Sequence, residues 1–308
     1  MSLETDLLLD RRRLQRRLWF WRGFAVIAVV ACGLIAVGRT GAVSRAHVTR
    51  LNVTGIITEN RKLTDAVLRL AKDDSVKALE VFVDSPGGSV AGGESLHDAI
   101  AQVAAKKPVV TVMGGTAASA GYMVAVPAAR IFARGATLTG SIGVLLETGE
   151  VSGLLSRIGV TADAIVSGPL KDQPSFTKPM SPQGREVLQE LVMDMYDQFV
   201  GMVAEGRHMT PEQVRALADG RAYTGRQALQ LGLVDQLGGE PDARAWLAKE
   251  RGVPAGLPIE DLQLGSLAER AFGSSLSGIT EGLLKTVLFQ GLTLDGAWAL
   301  WQHPLTGG

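Results

Sequence analysis

Apolar and polar positions along the chain follow two periods, and the switches between them mark the elements. Residues 47–58, HVTRLNVTGIIT, read as a strand, and LTDAVLRLAKD (63–73) places its apolar residues at helical spacing. VKALEVFVDSPGG (76–88) predicts an apolar strand closed by a Pro-Gly-Gly turn. SVAGGESLHDAIAQVAAKK (89–107) is helical, and PVVTVMGG (108–115) is again a strand, stopping at two glycines. Strand, helix and strand in alternation predict an α/β fold with a parallel sheet and crossover helices.

After residue 180 the pattern is helical. Residues 181–207, SPQGREVLQELVMDMYDQFVGMVAEGR, carry apolar positions over several turns, with Ser181 as the cap and Pro182 in the first turn. TPEQVRALADG (210–220) repeats that grammar, with Thr210, Pro211 and a closing Gly220. The last fifty or so residues are apolar and poorly punctuated. LLKTVLFQGLTLDGAWALW fits a docking helix pair or an interfacial segment, and Gly291 and Asp295 interrupt any second membrane span.

The N-terminus follows a third pattern. RRRLQRRLWFWRGFAVIAVVACGLIAVGR begins basic and continues into an apolar run with no charge from Gly23 to Gly38. Extended back to Leu18, with Arg22 snorkelling outward, the run reaches the roughly 20 residues that a bilayer core requires. Trp19, Phe20 and Trp21 fit an interfacial aromatic belt. Arg11, Arg12, Arg13, Arg16, Arg17 and Arg22 precede the span, against Arg39, Arg45 and Arg50 after it. This asymmetry predicts one transmembrane helix with a cytoplasmic N-terminus and the remaining mass on the extracytoplasmic side. No clear small-residue cleavage pattern appears near residue 38, so an uncleaved anchor is expected rather than a signal peptide.

Composition narrows the function classes. The 308 residues are 46% hydrophobic and 20% charged, which describes a folded chain. A formal net charge of zero argues against a nucleic-acid partner. The single cysteine, Cys32, rules out an internal disulfide framework and a thiolate metal cluster. The four histidines (47, 97, 208 and 303) form no H-E-x-x-H pattern, no metal site is expected, and a G-x-S-x-G elbow is absent.

Two glycine-ended strands remain, DSPGG (84–88) and MGGTAASAGY (113–122). Ligands of α/β sheets gather at the carboxyl ends of strands, where glycine lets backbone approach a substrate closely. Ser119 sits among Ala and Gly residues too small to crowd it, at the start of a helix. The N–H groups of Gly88 and Ser119 could face a developing oxyanion, although spacing alone leaves tight structural turns equally open. Without a histidine, a serine nucleophile is usually activated by a neutral lysine. Lys171, Lys178, Lys249 and Lys285 follow the serine, and Lys171 stands after an apolar strand-like run, IVSGPLKDQPS. Asp172 beside it is expected to point away from the amine.

Taken as a set, SPGGSV, AASAGYMVA, TLTGSIGV, SGPLKD, SPQGRE and DGRAYTGRQALQLGLVDQLGG stand in the order found in the signal peptide peptidase A family. That family comprises Ser-Lys serine peptidases of family S49 with a ClpP/crotonase-like spiral fold. The resemblance covers about residues 47 to 245 and is with the short forms. It implies Ser119 as nucleophile, Lys171 as general base 52 residues later, and Ser141 as the group that orients the lysine. It also implies Gly88 as an oxyanion donor, with Gly87 as the substitute. This chain has ASAGY where the family often has ASGGY, so Ala120 adds a methyl beside the serine.

The resemblance implies further properties. Ser119 would attack a peptide carbonyl while Lys171 takes and then returns the proton, with no cofactor. Substrates would be apolar peptides such as remnant signal peptides. The chain would form a homo-oligomeric ring in which neighbouring subunits can share one serine–lysine pair. The expected organisation is a basic N-terminus (1–18), an anchor (19–38), the peptidase domain (39–250) and an apolar extension (251–308). Competing functions are a quality-control peptidase for membrane or periplasmic proteins, a non-catalytic scaffold on the same fold, and a crotonase-like acyl-CoA enzyme. The arginine asymmetry speaks against the last, which would work in the cytoplasm.

Overall fold

The computed structural model describes residues 17–29 and 45–264. Residues 17–29 form a helix, α1, whose large apolar side chains are exposed. The second half of the expected anchor lies outside the described residues. Among the described residues no helix is long and apolar enough to cross a membrane.

The body is an α/β sheet. β1 (His47–Ile57), α2 (Arg61–Leu70), β2 (Val76–Gly88), α3 (Val90–Ala104) and β3 (Val109–Ala118) alternate as the sequence pattern predicts. They are followed by α4 (Ala120–Ala125), β4 (Arg130–Ala133) and β5 (Leu138–Gly140). The second half holds α5 (Ser152–Arg157), α6 (Pro182–Arg207), α7 (Pro211–Arg215), β6 (Ala222–Thr224) and α8 (Gly225–Gln230). β7 (Gln236–Leu237), α9 (Glu240–Arg251) and β8 (Ile259–Asp261) close the described chain. The strand order is β6-β5-β3-β2-β1-β8, with β4 pairing β3 and β7 off that path. Every pairing is parallel except β5 with β6.

Apolar β-branched residues fill the central strands because both sheet faces are covered. One face packs Leu79, Val81 and Val83 with Val67, Ile100 and Phe199 from the helices. The other packs Ala78, Val110 and Val112 under Ala243 and Leu247 of α9. Helix starts are fixed locally: Asn60, Ser89 and Ser181 each accept a backbone N–H in the first turn of α2, α3 and α6, at 3.0–3.2 Å.

Two expectations change here. β3 runs on to Ala118, past the glycines where the pattern predicted its end. The boundary expected at residue 250 falls inside the fold, because β8 extends the sheet by pairing with residues 48–50 of β1. The C-terminal residues from 265 lie outside the described residues, and with them the helix-pair and interfacial alternatives.

Candidate active site

Three strand ends converge at Ser119. The β2–β3 register runs evenly to Val83↔Met113 and then jumps to Ser85↔Ala117. β3 therefore advances four residues while β2 advances two, a bulge that contains Gly114 and Gly115. Asp84 staples it by accepting the Thr116 N–H at 3.0 Å. Below the bulge β3 pairs β4 through residues 110–112, and beyond it pairs β5 through residues 116–118. The last pair is Ala118↔Gly140, so Ser119 and Ser141 emerge side by side.

Both serines have positive φ, 54° for Ser119 and 48° for Ser141. Ser119 stands at the N-cap of α4, but its hydroxyl caps no backbone N–H, which leaves the Oγ available to another partner. Its carbonyl accepts from Tyr122 and Met123 N–H at 2.8 and 3.1 Å. Ser141 is held by its N–H on the Arg221 carbonyl at 2.9 Å and its Oγ on the Gly220 carbonyl at 3.3 Å. DGRAYTG thus buttresses Ser141 with backbone from the turn before β6.

Gly87 and Gly88 meet this turn closely. Gly87 has φ 118°, and a Cβ on it would lie 2.8 Å from the Ser119 Cβ. Gly88 lies so close to Ile57 that a Cβ would come within 1.9 Å of the carbonyl oxygen. Only glycine fits either place.

The donors differ from the expected set. The Ser119 N–H, expected as an oxyanion donor, donates to Gly140 O at 2.9 Å, because the β3–β5 ladder continues one residue past Ala118. The Gly87 N–H donates to Ser85 Oγ at 3.1 Å. A donor the spacing argument passed over is the Ala120 N–H. It opens the first turn of α4, where no intrahelical acceptor exists, and sits 3.3 Å from where a Gly87 Cβ would be. The signal was present in the sequence as the residue after the serine.

Lys171 is not brought into this cluster. It sits in an exposed turn closed by its own N–H on the Gly168 carbonyl at 3.1 Å. Among the described residues its ammonium has no hydrogen-bond or ion-pair partner, and no hydrogen bond joins it to Ser119 or Ser141. The strand-like run before it forms no strand, since no neighbouring strand offers a ladder, and Ile165 is fully exposed. Asp172 does engage another cation: its carboxylate lies 3.9 Å from Lys178. Beside this arm a cleft of about 770 Å³ opens between Leu146, Phe176, Met180 and the first turns of α6 at Arg185, Leu188 and Val192. Among the described residues no cluster of His, Cys, Asp and Glu could hold a metal ion.

The family model of peptidase family S49 matches residues 101–254. A Synechocystis sp. protein named as a protease is 40% identical over 266 residues, covering 86% of this chain and 95% of its own. The chain belongs to peptidase family S49. An Enterococcus faecium protein bearing the name of a signal peptide peptidase, SppA, is 36% identical over 233 residues, 70% of this chain and 67% of its own. Protease 4 of Salmonella typhi is 42% identical over 210 residues, 68% of this chain but 33% of its own.

As an S49 peptidase of the SppA type, the chain departs from the frequent ASGGY at Ala120, and the structure shows where that methyl goes. Ala120 is buried, and α3 comes so near that a Cβ on Gly93 would lie 3.0 Å from the Ala120 Cβ. The methyl packs towards α3 and away from solvent.

Proposed function

We propose that the chain is a membrane-anchored serine endopeptidase that uses Ser119 as nucleophile and Lys171 as general base. One observation carries the reading: in an S49 chain, three strand ends hold a serine at the head of a buried helix with its Oγ uncommitted. Ser119 Oγ attacks a peptide carbonyl while Lys171 takes its proton. The acyl-enzyme forms as the lysine returns that proton to the leaving amine, and water reverses the sequence to release the acid. Backbone N–H groups of Gly88 and Ala120 receive the oxyanion, since those of Ser119 and Gly87 already have acceptors. Ser141 holds the lysine amine towards the nucleophile.

The Lys171 that serves a given Ser119 comes from a neighbouring copy in a ring. Support comes from the arm that bears it: Leu145, Leu154, Ile158, Ile165 and Phe176 are all exposed, an apolar surface that a second copy would cover. The spiral fold of the ClpP/crotonase type suits such rings. Substrates are apolar peptides, foremost remnant signal peptides, met at the extracytoplasmic face of the inner (cell) membrane. The arginine asymmetry around residues 18–38 and the SppA name of a relative support that placement.

The test is hydrolysis of an apolar fluorogenic peptide by the full-length protein in detergent, beside Ser119→Ala and Lys171→Ala. Both variants should lose at least about a thousandfold in kcat while keeping the parent's assembly size. Activity that survives Ser119→Ala would remove the nucleophile from this reading.

A further inference from the structure

Ser119 occupies a conformation that something else in the fold must hold. A non-glycine residue at φ 54°, ψ −122° lies outside the well-populated regions and is strained there. The helix it heads, α4, has six residues, too few to persist without packing. Its orientation is therefore imposed from outside, and Tyr122 is its one polar side chain.

Tyr122 is fully buried, and its phenol donates to the Leu233 carbonyl at 2.7 Å. The preceding carbonyl, of Gly232, accepts from Arg207 Nε at 2.9 Å. Two residues past Leu233, Asp235 receives both terminal nitrogens of Arg207, at 2.6 and 3.0 Å, and the Ile131 N–H at 2.8 Å. The segment from 232 to 235 is thus fixed to the end of α6 and to β4. Burial opposes the charge on Arg207, but the hydrogen bonds to Asp235 and the charge attraction of Tyr122 and Asp235 together outweigh it, and the guanidinium stays ionised. Burial raises the Tyr122 pKa, so its phenol remains a donor. The ends of α6 and α4 also touch: a Cβ on Gly206 would come within 2.4 Å of the Val126 carbonyl.

We infer that Tyr122 is a positioning residue for Ser119: its phenol, hung on a carbonyl that the Arg207–Asp235 pair holds in place, fixes the rotation of α4 and so the strained turn at its head. The backbone link is direct, since the Tyr122 N–H also donates to the Ser119 carbonyl. The inference rests on Ser119 being the nucleophile. It assigns GLVDQLGG a task in the reaction as well as in the fold.

Tyr122→Phe in the full-length protein deletes one oxygen and keeps the ring in the core. The loss of one buried hydrogen bond to the positioning loop is expected to lower kcat about tenfold with KM unchanged. The rate at which a fluorophosphonate acylates Ser119 should fall by the same factor. Arg207→Lys, which keeps the charge and loses the fork, should show the same split at smaller size. Unchanged kcat and acylation rate in both variants, with only a lower Tm, would overturn the inference and leave Tyr122 as a packing residue. Acylation of the parent at another serine, mapped by peptide mass analysis, would remove the nucleophile itself, which distinguishes the two failures.

Discussion

Ser119 stands where β2, β3 and β5 end, on backbone tied at every step: its own N–H to Gly140, Ser141 to Arg221, Thr116 to Asp84. Lys171 stands on the excursion between β5 and α6, and from residue 143 to residue 180 that excursion gives no apolar side chain to either core cluster. α5, within it, buries no residue. The surroundings of the proposed nucleophile are therefore complete within one chain, and those of the proposed base are not. A catalytic base must be held to within a fraction of an ångström to work, and an unpartnered surface lysine is not so held. On the proposed reading, a second copy finishes the site.

The largest effect would come from separating the two halves genetically. Ser119→Ala and Lys171→Ala are each expected to be inactive by at least about a thousandfold. Mixed and reassembled, they should regain activity, because some interfaces then pair an intact serine with an intact lysine. Recovery towards about a quarter of the parent rate is expected from random pairing of two neighbours, if each variant enters the ring equally. No recovery, with mixed assemblies demonstrated by size, would place both groups of one site in one chain and break the comparison.

A charge on the arm tests what covers it. Ile165→Asp and Phe176→Asp alter exposed side chains, so the melting of the isolated body should hardly move. A charge buried at an interface between copies costs several kcal/mol, and activity should fall on the order of a hundredfold as the assembly comes apart. Light scattering reads the assembly and peptide hydrolysis reads the rate. Full activity in a dissociated protein would sink the shared site.

The same division governs what the sequence revealed. The helices at 181 and 210 were legible because periodicity and caps agreed, Ser181 and Thr210 each accepting a first-turn N–H, while α2 and α3 were read from periodicity alone and their caps, Asn60 and Ser89, were passed over. The approach of Ser119 to Gly87 and Gly88 was legible because two apolar, glycine-ended strands had to join one parallel sheet, whereas Ser141 came only from the resemblance, since the three-residue β5 before it has no apolar pattern to read. The bulge at Gly114 and Gly115 was misread as a strand end, since a glycine pair looks the same in either role until Asp84 is seen to staple it. The acceptors of the Ser119 and Gly87 N–H groups were not legible, because hydrogen-bond partners far apart in sequence depend on register. The arm was the least legible. Its apolar run read as a strand, but one chain provides it no ladder and no core.

The smallest effect on rate, and the cleanest check that the body is independent of the arm, concerns Glu80. This residue of β2 is fully buried on the face covered by α9, and among the described residues neither carboxylate oxygen has a hydrogen-bond partner. Burial raises its pKa from 4.5 to about 7, with a further push from Glu240 and partial relief from Arg50 and Arg244. Arg50 is already engaged by Asp261 at 2.7 Å and by Glu240 at 3.3 Å, so it is not free to pair with Glu80. A folded-state pKa above the unfolded one means that the folded chain binds the proton more tightly. That stability is fully present below about pH 4.5 and is lost as pH rises through about 7. The shift corresponds to about 3 kcal/mol between pH 4.5 and 8, with water reaching the site reducing it. Glu80→Gln keeps the shape and removes the charge. Its Tm should match the parent at pH 4 and exceed it at pH 8, by several degrees for a body of this size. Its kcat at pH 7 should equal the parent's, because Glu80 makes no hydrogen bond to any of the residues around Ser119. A Tm difference that is the same at both pH values would show that Glu80 does not titrate between them. A change in kcat would show that Glu80 is coupled to the residues around Ser119.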